Sequence, residues 1–580
     1  MYFCSQTPTP KRPMTTLSST QNGKQEKLFF YFLIVWTIVG LIQNYFTEVS
    51  GEEAYYWLFS QFLDWSYLDH PPMVGVVTAP GYWLIPNNLG LRMGMLICNI
   101  LTIIVLRKTL EVKDDKLFIW MMLGLLPFHL GALLVKTDVP LLFFTATFFY
   151  LYKQYVKDDN WKTVLLLALN IALVMMSKYH GVLVVLFTVI SNFNLFKKPS
   201  FWVVVGLTVL FMLPHTYWQY THDFASIKFH LYNRIDLGFS FGTILYYVGI
   251  QPLVFGPLIG ILLFGAAYRH KTESELHRAL KFNIVGVLLF FLISAFRVEV
   301  HKHWTSVVIV PLILLGHEYI SDKENWRKWM VKLCLISVIL FIPARIYLMH
   351  DFLPKAWTKG WDVLHGWDGW AEEIKELSGG LPIVFINHYE RASRYSYLKG
   401  DIVHCYNTYD YRETQHDLWP LEENLQGKTV FMIDRHNRKG EYATFTASIG
   451  KGIHYRVIEN FRSFRNVNVE LVDFEKEELV SGSTIELEIK ITNNYDYAVD
   501  FTDVNDRDVF LNAHFLKGLT PQTDEQLEVL NLKLNPGEEI IKTVRVKVPD
   551  YAGRLDLRFS IQVEGIEAPI NGKKQKVILE

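Results

Sequence analysis

The 580-residue chain is poor in charged side chains and in cysteine. Only 20% of its residues are charged, against about 25% in soluble domains, and 57 Lys and Arg residues nearly balance 58 Asp and Glu residues. This composition excludes a disordered chain and a nucleic-acid binder that works through global basicity. The four cysteines are too scattered for a disulfide framework or a CxxC metal site. Apolar residues make up 50% of the chain and aromatic residues 15%, and they are concentrated in long runs.

Residues 1–27 lack an apolar core, so we predict a short disordered cytoplasmic arm rather than a secretory signal peptide. Because a bilayer core needs roughly 20 apolar helical residues, the runs that follow predict a polytopic α-helical membrane domain over 28–349, with about eleven transmembrane helices. A further segment, 73–86, is aromatic and amphipathic and is predicted to lie on the membrane surface. The apolar runs are 28–46, 90–106, 117–134, 139–152, 162–176, 181–195, 201–214, 241–266, 280–296, 304–319 and 329–349.

The distribution of basic residues gives this topology a direction. With a cytoplasmic N-terminus and alternating spans, the inner segments contain 21 Lys and Arg residues and the outer loops up to residue 303 contain 6. The positive-inside rule therefore predicts a multi-pass protein of the inner (cell) membrane. Because the number of spans is odd, everything after about residue 350 is predicted to be extracytoplasmic.

Two extracytoplasmic sections follow the last apolar run. Short apolar strands at 382–386 and 429–433 predict a small α/β domain over 350–460. Residues 465–580 show period-two alternation, for example at 484–491, and predict an all-β sandwich of immunoglobulin-like type. This last section has no cluster of His, Cys or paired carboxylates, so we expect recognition or support from it rather than chemistry.

The first outer loop, about 47–89, contains no Lys or Arg but is rich in carboxylates and aromatic rings. Carboxylates accept hydrogen bonds from sugar hydroxyls and one can act as a general base, while aromatic faces cover a sugar ring. The loop therefore predicts a sugar-binding site. The alternative is a solvated loop with an interfacial aromatic belt.

The few basic residues on the outer side lie near other short loops. They predict a cationic pocket for a phosphate or pyrophosphate leaving group, although a lone lysine at a span boundary is also a common snorkelling anchor. Histidines in these loops offer an alternative metal site, but their spacing fits no recognised metal signature, so we predict no metal. The basic residues are Lys136, Lys178, Lys228, Arg234, Arg297 and Lys302, and the histidines are His222, His230, His301 and His303.

Several motifs resemble, in the same order, the dolichyl-phosphate-mannose–protein mannosyltransferase superfamily. The similarity is closest to the bacterial branch that includes the lipid A aminoarabinose transferases. It covers about residues 28–430 and leaves out the terminal β-sandwich. The motifs are GEEAYYW (51–57), LDWSYLDHPPM (63–73), KTDVPLLFF (136–144), SKY (177–179), HDFAS (222–226), HW (303–304) and QHDLWP (415–420).

The resemblance implies an integral-membrane glycosyltransferase of the GT-C type that uses a polyprenyl-phosphate sugar as donor. In that family an Asp-Glu pair opens the first outer loop, and the Asp is regarded as the catalytic carboxylate. Here Glu52 occupies the Asp position and Glu53 matches the family Glu. The extra methylene moves the carboxylate by about one C–C bond, which matters where catalytic groups must hold to about 0.5 Å.

We predict an inverting transfer of a hexosyl or pentosyl unit to a lipid, glycan or protein acceptor on the outer side. Glu52, assisted by Glu53 or Asp138, deprotonates or orients the acceptor hydroxyl, and cationic side chains stabilise the leaving phosphate, so no cofactor is required. The predicted catalytic residues are Glu52, Glu53 and Asp138; the phosphate-binding residues are Lys178, Arg297, Lys136 and Lys302; and the substrate-binding residues are Tyr55, Tyr56, Asp69, His70, Tyr179, His222, His303 and Trp304.

Two other classes of function stay open at this point. A polytopic transporter or glycolipid flippase also carries charges among many spans, but it usually shows inverted repeats with broken helices, and we find no internal repeat. A non-catalytic membrane receptor would use the β-sandwich to bind its partner.

Overall fold

The computed structural model describes residues 19–580 except 112–113, 232–240, 355–356, 358–363, 435–441, 473, 475–477, 503 and 505. Its first helix begins at Ser19, so residues 19–27, which belong to the arm predicted to be disordered, are helical. Lys, Gln and Glu have good helix propensity, and residues 24–27 therefore extend the apolar helix towards the N-terminus. The rest of the predicted arm lies outside the described residues.

The helical elements occupy the membrane domain and the first extramembrane section. The α-helices are α1 (Ser19–Phe46), α2 (Gly51–Gln61), α3 (Met73–Leu84), α4 (Asn88–Thr109), α5 (Asp115–Gly124), α6 (Leu126–Gly131), α7 (Asp138–Lys157), α8 (Trp161–Ser177), α9 (Gly181–Ser191), α10 (Pro199–Thr221), α11 (Ala225–Leu231), α12 (Phe241–Val254), α13 (Gly260–Arg269), α14 (Glu275–Ser294), α15 (Ile309–Ser321), α16 (Glu324–Met349), α17 (Trp367–Ser378) and α18 (Tyr389–Lys399). Short 3₁₀ turns lie at Phe193–Lys197, Lys302–Val308, Gln415–Asp417 and Glu423–Leu425.

The strands in the described residues follow the membrane domain. They are β1 (Ile383–Ile386), β2 (His404–Tyr406), β3 (Val430–Asp434), β4 (Ala443–Thr446), β5 (Gly452–Ile458), β6 (Val467–Leu471), β7 (Glu478–Leu479), β8 (Thr484–Asn493), β9 (Val499–Asp500), β10 (Val509–Lys517), β11 (Thr520–Val529), β12 (Lys533–Leu534), β13 (Glu539–Lys547), β14 (Gly553–Val563) and β15 (Gln575–Leu579).

Within the described ranges, 6 helices are long and apolar enough to cross a membrane. Other predicted segments correspond to shorter apolar helices, which include α3, α8, α9 and α12. The prediction of a polytopic α-helical membrane protein is confirmed at this level, whereas the number of spans stays a prediction. The six are Gly23–Phe46, Asn88–Thr109, Pro199–Thr221, Glu275–Ser294, Lys302–Ser321 and Glu324–Met349.

Two of the predicted apolar runs are interrupted in the structure. The run 117–134 divides into α5 and α6 just before Pro127, and the run 241–266 divides into α12 and α13 around Gly256 and Pro257. Proline lacks the amide donor that a helix interior needs and disfavours helical backbone in the residue before it. Gly256 adopts φ +135°, a conformation that side chains on Cβ disfavour. The breaks therefore follow from local chemistry.

Glycines let α3 and α4 approach each other closely. A Cβ added to Gly94 would lie 2.0 Å from the carbonyl oxygen of Val77, and one added to Gly90 would lie 2.6 Å from that of Gly81. In a bilayer, close van der Waals packing of this kind holds helices together because the lipid is as apolar as the side chains. Arg92, which lies between the two glycines on α4, is thereby held next to the first outer loop.

A five-stranded mixed sheet in the order β2-β1-β3-β5-β4 follows the membrane domain. Strand β1 pairs in parallel with β2 and β3, while β5 pairs antiparallel with β3 and β4. Strands β1 and β3 are the two buried apolar segments that the sequence predicts. Helices α17 and α18 cover this sheet, with Trp370 and Tyr395 each 6.1 Å from the ring of Phe385.

Two further sheets, β11-β10-β14-β15-β7 and β13-β8-β6, form the C-terminal section, with a small ribbon of β9 and β12. Their inner faces contribute side chains to one buried cluster, with Ile489 from one sheet and Leu511 and Phe559 from the other. The alternating segments in the sequence are strands β6, β8, β13 and β14, as predicted. The immunoglobulin-like type of this section stays a prediction.

The first outer loop is largely helical, and the α/β section lies on top of it. A Cβ on Gly51, at the start of α2, would lie 2.7 Å from Cβ of Glu390 on α18, and the rings of Trp57 and Tyr397 are 5.4 Å apart. Several of the loop's aromatic side chains are consequently buried, with Tyr55 2% exposed, whereas Trp65 and Trp83 are 55% and 62% exposed. This contact fixes α2, which carries the two adjacent glutamates.

Candidate active site

Helix α2 begins with a capping box that orients its first-turn glutamates. Ser50 Oγ accepts a hydrogen bond from the Glu53 amide at 3.3 Å, and Glu53 Oε2 accepts one from the Ser50 amide at 3.0 Å. Reciprocal bonds of this kind satisfy amides that a helix start leaves unpaired. Glu53 is thereby turned back towards the start of the helix, and Glu52 lies about 100° away around the helix axis.

Arg92 forms a two-point ion pair with Glu53. Arg92 Nε lies 2.8 Å from Glu53 Oε1, and Arg92 Nη2 lies 3.0 Å from Glu53 Oε2. The guanidinium also donates to the carbonyl oxygens of Asn44, Thr47 and Glu48 at 2.7–3.0 Å. Both charged side chains are buried, with 0% of Arg92 and 1% of Glu53 exposed. The pair joins the end of α1 to α2 and α4.

The remaining acceptor positions of Glu53 are also occupied. Its Oε1 accepts from the Val135 amide and its Oε2 from Ser50 Oγ, both at 3.0 Å. Burial opposes ionisation of Glu53, but the charge and hydrogen bonds of Arg92 outweigh it and lower the pKa of this carboxyl. We therefore assign Glu53 to the scaffold: no oxygen lone pair is left for a substrate proton, which argues against the catalytic role predicted for it.

Glu52, in contrast, faces an accessible space. Its Oε2 accepts from Lys136 Nζ at 2.8 Å and its Oε1 from Tyr56 OH at 3.3 Å, while 40% of its side chain is exposed. Burial of the carboxyl opposes ionisation, yet the Lys136 ammonium keeps the pKa of Glu52 below its usual value. At neutral pH Glu52 is thus a carboxylate with room for a substrate hydroxyl.

A second lysine–carboxylate pair lies at the start of α7. Lys178 Nζ is 3.0 Å and 3.1 Å from the two carboxylate oxygens of Asp138, and Ser306 Oγ donates to Asp138 Oδ1 at 2.6 Å. Only 6% of the Lys178 side chain and 15% of the Asp138 side chain is exposed. Lys178 is therefore paired in a buried position and is not a snorkelling anchor. The contact brings together the ends of α7 and α8 and the turn Lys302–Val308.

His70 experiences the charges of both pairs. Its Nε2 lies 3.1 Å from Tyr56 OH. Burial and then the charge of Lys178 lower the pKa of His70 to about 3, with Glu52 and Asp138 acting in the opposite direction. The ring is consequently neutral at physiological pH and exchanges hydrogen bonds without adding charge.

His303 also lies close enough to Glu52 and Asp138 to interact with both carboxylates electrostatically. The structure thus brings together six side chains from four separate outer segments of the sequence. We name them the charged cluster: Glu52, His70, Lys136, Asp138, Lys178 and His303.

Tyr55 and Asp69, both in the first outer loop, connect this loop to the extramembrane section. Tyr55 OH donates to Asp69 Oδ1 at 3.4 Å and accepts from the Gln415 amide at 2.8 Å, and Gln415 Oε1 accepts from the Leu68 amide at 2.7 Å. Burial raises the pKa of Asp69, with Arg412 opposing it. The QHDLWP segment is therefore part of the same assembly as the first outer loop.

Tyr179 connects the first outer loop to the fourth outer loop. Its hydroxyl lies 3.4 Å from Ser66 Oγ and accepts from Gln219 Nε2 at 3.3 Å. Its ring is 5.1 Å from that of His230, whose Nε2 lies 3.1 Å from the carbonyl oxygen of Asp69. These contacts hold Tyr179, which directly follows Lys178 of the charged cluster in the chain, against residues of the first and fourth outer loops.

Two of the predicted substrate-binding residues have other principal contacts. His222 stacks on Trp218 with the ring centroids 4.0 Å apart, and its Nδ1 lies 3.0 Å from the Trp218 carbonyl oxygen at the end of α10. Trp304 is 5% exposed and packs between His180 and Phe291 at 5.2 Å and 5.7 Å. Both positions support neighbouring helices.

The side chains of Arg297 and Lys302 are exposed, and Lys302 directly precedes His303 of the charged cluster in the chain. In the part of the chain that the structure describes, neither forms an ion pair with the charged cluster. Their side chains are accessible to a phosphate, as Lys136 is in part, whereas the ammonium of Lys178 is already paired. Arg234, another basic residue of the predicted pocket, lies outside the described residues.

The histidines considered as metal ligands do not meet as a ligand group within the described ranges. His222 stacks on Trp218, and His301 and His303 stack on each other with centroids 5.9 Å apart. A group of three side chains with metal-ligand geometry is formed elsewhere, by His270, His277 and Glu318. The absence of a metal cofactor from the reaction stays a prediction.

Sequence reasoning missed Arg92 and Ser306. Arg92 had a signal: it is a lone arginine inside the apolar run 90–106, and a charge at membrane depth requires a partner. Its position between Gly90 and Gly94, two small residues that permit close helix contact, also indicates a buried arginine. Ser306 had none, because nothing in a serine at the start of an apolar run marks it as the donor to Asp138.

Comparison with known proteins gives consistent matches. The family model described as dolichyl-phosphate-mannose-protein mannosyltransferase matches residues 69–218. The lipid A galacturonosyltransferase RgtD of Rhizobium johnstonii is 22% identical over 432 residues, which are 69% of this chain and 89% of that protein. The matched family region includes His70, Lys136, Asp138 and Lys178 of the charged cluster.

Two crystal structures of ArnT from Cupriavidus metallidurans share the fold. The apo structure has a TM-score of 0.57 at 11% identity, and the structure bound to undecaprenyl phosphate has a TM-score of 0.55 at 12% identity. Each covers 75% of this chain and 98% of the ArnT chain. The similarity therefore spans the ArnT fold and leaves a quarter of this chain without a counterpart.

Proposed function

We propose that this chain is a GT-C glycosyltransferase of the bacterial branch and that it transfers a sugar from a polyprenyl-phosphate donor to an acceptor hydroxyl on the outer side of the membrane. The family match over residues 69–218, the similarity to RgtD and the fold shared with ArnT support this proposal. The observation that carries this proposal is the contrast between the two adjacent glutamates. Glu53 is enclosed by donors, and Glu52 is an ionised, partly exposed carboxylate beside cationic side chains.

The proposed reaction is a single displacement. The acceptor oxygen attacks the anomeric carbon from the face opposite the phosphate, so the new C–O bond forms as the bond to the phosphate oxygen breaks, and the configuration inverts. Glu52 accepts the proton of the acceptor hydroxyl. The polyprenyl phosphate leaves with the bonding electron pair.

Positive charge around the leaving phosphate lowers the barrier because charge develops there in the transition state. Lys136 and Lys178 supply it from within the charged cluster, and the exposed side chains of Arg297 and Lys302 are proposed to add to it. Asp138 has a different role in this scheme from the assisting base that the sequence predicts. It holds the Lys178 ammonium in place at 3.0 Å, with Ser306 fixing the carboxylate.

The contacts of Glu52 also offer a reason why a glutamate can take the position that the family Asp holds. A glutamate has one more rotatable bond than an aspartate, so its carboxylate needs additional restraint to act as a base. Lys136 binds one oxygen and Tyr56 the other, and Tyr56 is itself hydrogen-bonded to His70. We propose that this relay positions the longer side chain.

The donor and acceptor classes follow from the relatives. ArnT binds undecaprenyl phosphate, and RgtD is a lipid A galacturonosyltransferase. Transferred to this chain, these facts favour a polyprenyl-phosphate sugar as donor and a glycolipid as acceptor over a glycan or a protein. Tyr55, Tyr56, Asp69, His70 and Tyr179 are proposed to line the sugar subsite, while the transferred unit itself is a hexosyl or pentosyl group.

Covalent transfer in proteoliposomes tests this proposal. Purified protein is reconstituted with an undecaprenyl-phosphate sugar labelled in the sugar and with envelope glycolipids as acceptors. We expect the label to move to the acceptor, with the opposite anomeric configuration by NMR. Label that crosses the bilayer while still attached to the donor would instead indicate a flippase, and retention of configuration would refute the single displacement.

A further inference from the structure

A second polar cluster lies far from the charged cluster, where three helices end or begin. His270 follows the last residue of α13, His277 lies in the first turn of α14, and Glu318 lies in the last turn of α15. The sequence offered no reason to connect these residues, because Glu318 on α15 lies 41 positions after His277 on α14. The proposed transfer reaction does not use them.

Their side chains converge on one point. Glu318 Oε2 lies 3.2 Å from His270 Nε2 and 3.0 Å from His277 Nε2, and the three ligand atoms all lie within 4.8 Å of one another. Ligands at about 2.0–2.2 Å in a tetrahedral zinc site are about 3.3 Å from each other. The separations of both nitrogens from the carboxylate oxygen are close to this value.

The cluster is also enclosed. The side chains of His270, His277 and Glu318 are 11%, 6% and 10% exposed. Nε2 of His277 has no hydrogen-bond partner of suitable geometry in the described part of the chain, although Glu318 Oε2 is 3.0 Å away. A nitrogen lone pair and a carboxylate oxygen at that distance repel each other unless a proton or a cation lies between them.

The position separates this cluster from the proposed reaction. His277 and Ser294 mark the two ends of α14, about 26 Å apart at the helical rise, and the chain reaches His303 of the charged cluster only after Ser294. Glu318 likewise lies twelve residues, or about 18 Å, beyond Ser306, which bonds Asp138. The cluster is therefore at the opposite end of the membrane domain, on the predicted cytoplasmic side.

We propose that His270, His277 and Glu318 bind a divalent zinc ion, with a water molecule as the fourth ligand. Two neutral imidazoles and one carboxylate match the preferences of zinc, and an oxygen-only cation such as Mg²⁺ is disfavoured by the two nitrogens. The ion would tie the ends of α13, α14 and α15 together. Its role is structural: it anchors α14 and α15, whose other ends lead into the catalytic side.

Zinc content of the purified full-length chain, prepared without a histidine tag, tests the proposal. After stripping with a chelator and adding ZnCl₂, we expect one zinc per chain by mass spectrometry of the metal and an affinity that falls at least tenfold in His277→Ala and in Glu318→Gln. His454→Ala, a histidine change in β5 of the extramembrane sheet, serves as the matched control and should bind as the wild type does.

Cobalt provides a readout that does not depend on any variant. Co²⁺ added to the stripped wild-type protein should give the intense visible absorption of a tetrahedral site, and zinc should abolish it. His270→Gln, which changes the most exposed of the three residues, should weaken the band while size-exclusion elution stays unchanged. A wild-type protein with no cobalt band and no bound zinc, or variants that bind zinc as tightly as the wild type, would overturn the proposal.

Discussion

Removal of the Arg92 guanidinium is the most informative perturbation of the scaffold. Arg92→Ala leaves the Glu53 carboxylate buried without its partner and removes the donors to three main-chain carbonyl oxygens. Breaking a buried ion pair by removing one partner costs about 3–5 kcal/mol. We expect a loss of this size in unfolding free energy, measured by denaturant unfolding of the detergent-solubilised protein and followed by tryptophan fluorescence.

The chain provides a matched control for this variant. Arg545 forms a comparable pair with Glu486 at 2.9 Å, but 78% and 60% of these side chains are exposed. Exposed pairs contribute about 0–1 kcal/mol, so Arg545→Ala should change stability by no more than that. The double variant Arg92→Met/Glu53→Gln, which keeps the capping box but removes both charges, should recover more than half of the loss.

Equal stability losses in Arg92→Ala and Arg545→Ala would refute the assignment of Glu53 to the scaffold. So would a double variant that folds like the wild type and has lost turnover completely, because Glu53 would then take part in the chemistry. The distinction matters because the two glutamates are adjacent in the sequence and only their surroundings separate their roles.

Gly94→Leu should abolish folding, because even a Cβ at this position would lie 2.0 Å from the Val77 carbonyl oxygen. Fluorescence-detected size exclusion checks this expectation. Gly206→Leu serves as the control, because a Cβ at Gly206 meets no atom within 4 Å. Lys178→Met strands a buried carboxylate and should cost about 3 kcal/mol of stability as well as turnover; a fully stable variant in denaturant unfolding would contradict the pairing. The pKa of Glu52 is lowered, so its carboxylate form is present at every pH above the usual glutamate pKa of about 4.3. It is lost only as the pH falls through the lower pKa of the folded protein. The acidic limb of kcat/KM should therefore lie below about pH 4.3, and a limb between about pH 6 and 7 would contradict it.

The sequence was sufficient to identify most of the candidate residues but not their pairing. Glu52 and Lys136 are 84 positions apart, and Asp138 and Lys178 are 40 apart. Charge distribution and motif order predict that all four lie on the outer side, yet which lysine contacts which carboxylate depends on the packing of α7 and α8 against the first outer loop. That packing arises from many side chains at once and leaves no local pattern.

Local chemistry explains where the predicted helices differ from the observed ones. No helix was predicted at 51–61 in the first outer loop, although Ser50 and Glu53 form a capping box, a recognisable signal of a helix start. The prolines that divide two apolar runs were equally visible. Hydrophobicity averaged over a run conceals such positions, since a proline changes the backbone far more than it changes the mean.

The strands of the extramembrane sections were predictable to a greater extent. Period-two alternation at 484–491 corresponds to β8, and the apolar run 429–433 corresponds to β3. The order in which these strands pair was not predictable, because pairing partners such as β10 and β14 lie far apart in the chain. The contact of α18 with α2, which fixes the site, is long-range in the same way.

The turnover of Glu52→Gln tests the central claim most directly. Sugar transfer is measured in proteoliposomes under single-turnover conditions, with Glu390→Gln, an exposed glutamate beside α2, as the matched control. The account predicts that Glu52→Gln unfolds like the wild type but transfers sugar at least about 100-fold more slowly, the contribution expected of a general base, while the control is unaffected. Wild-type turnover in a correctly folded Glu52→Gln protein would contradict it.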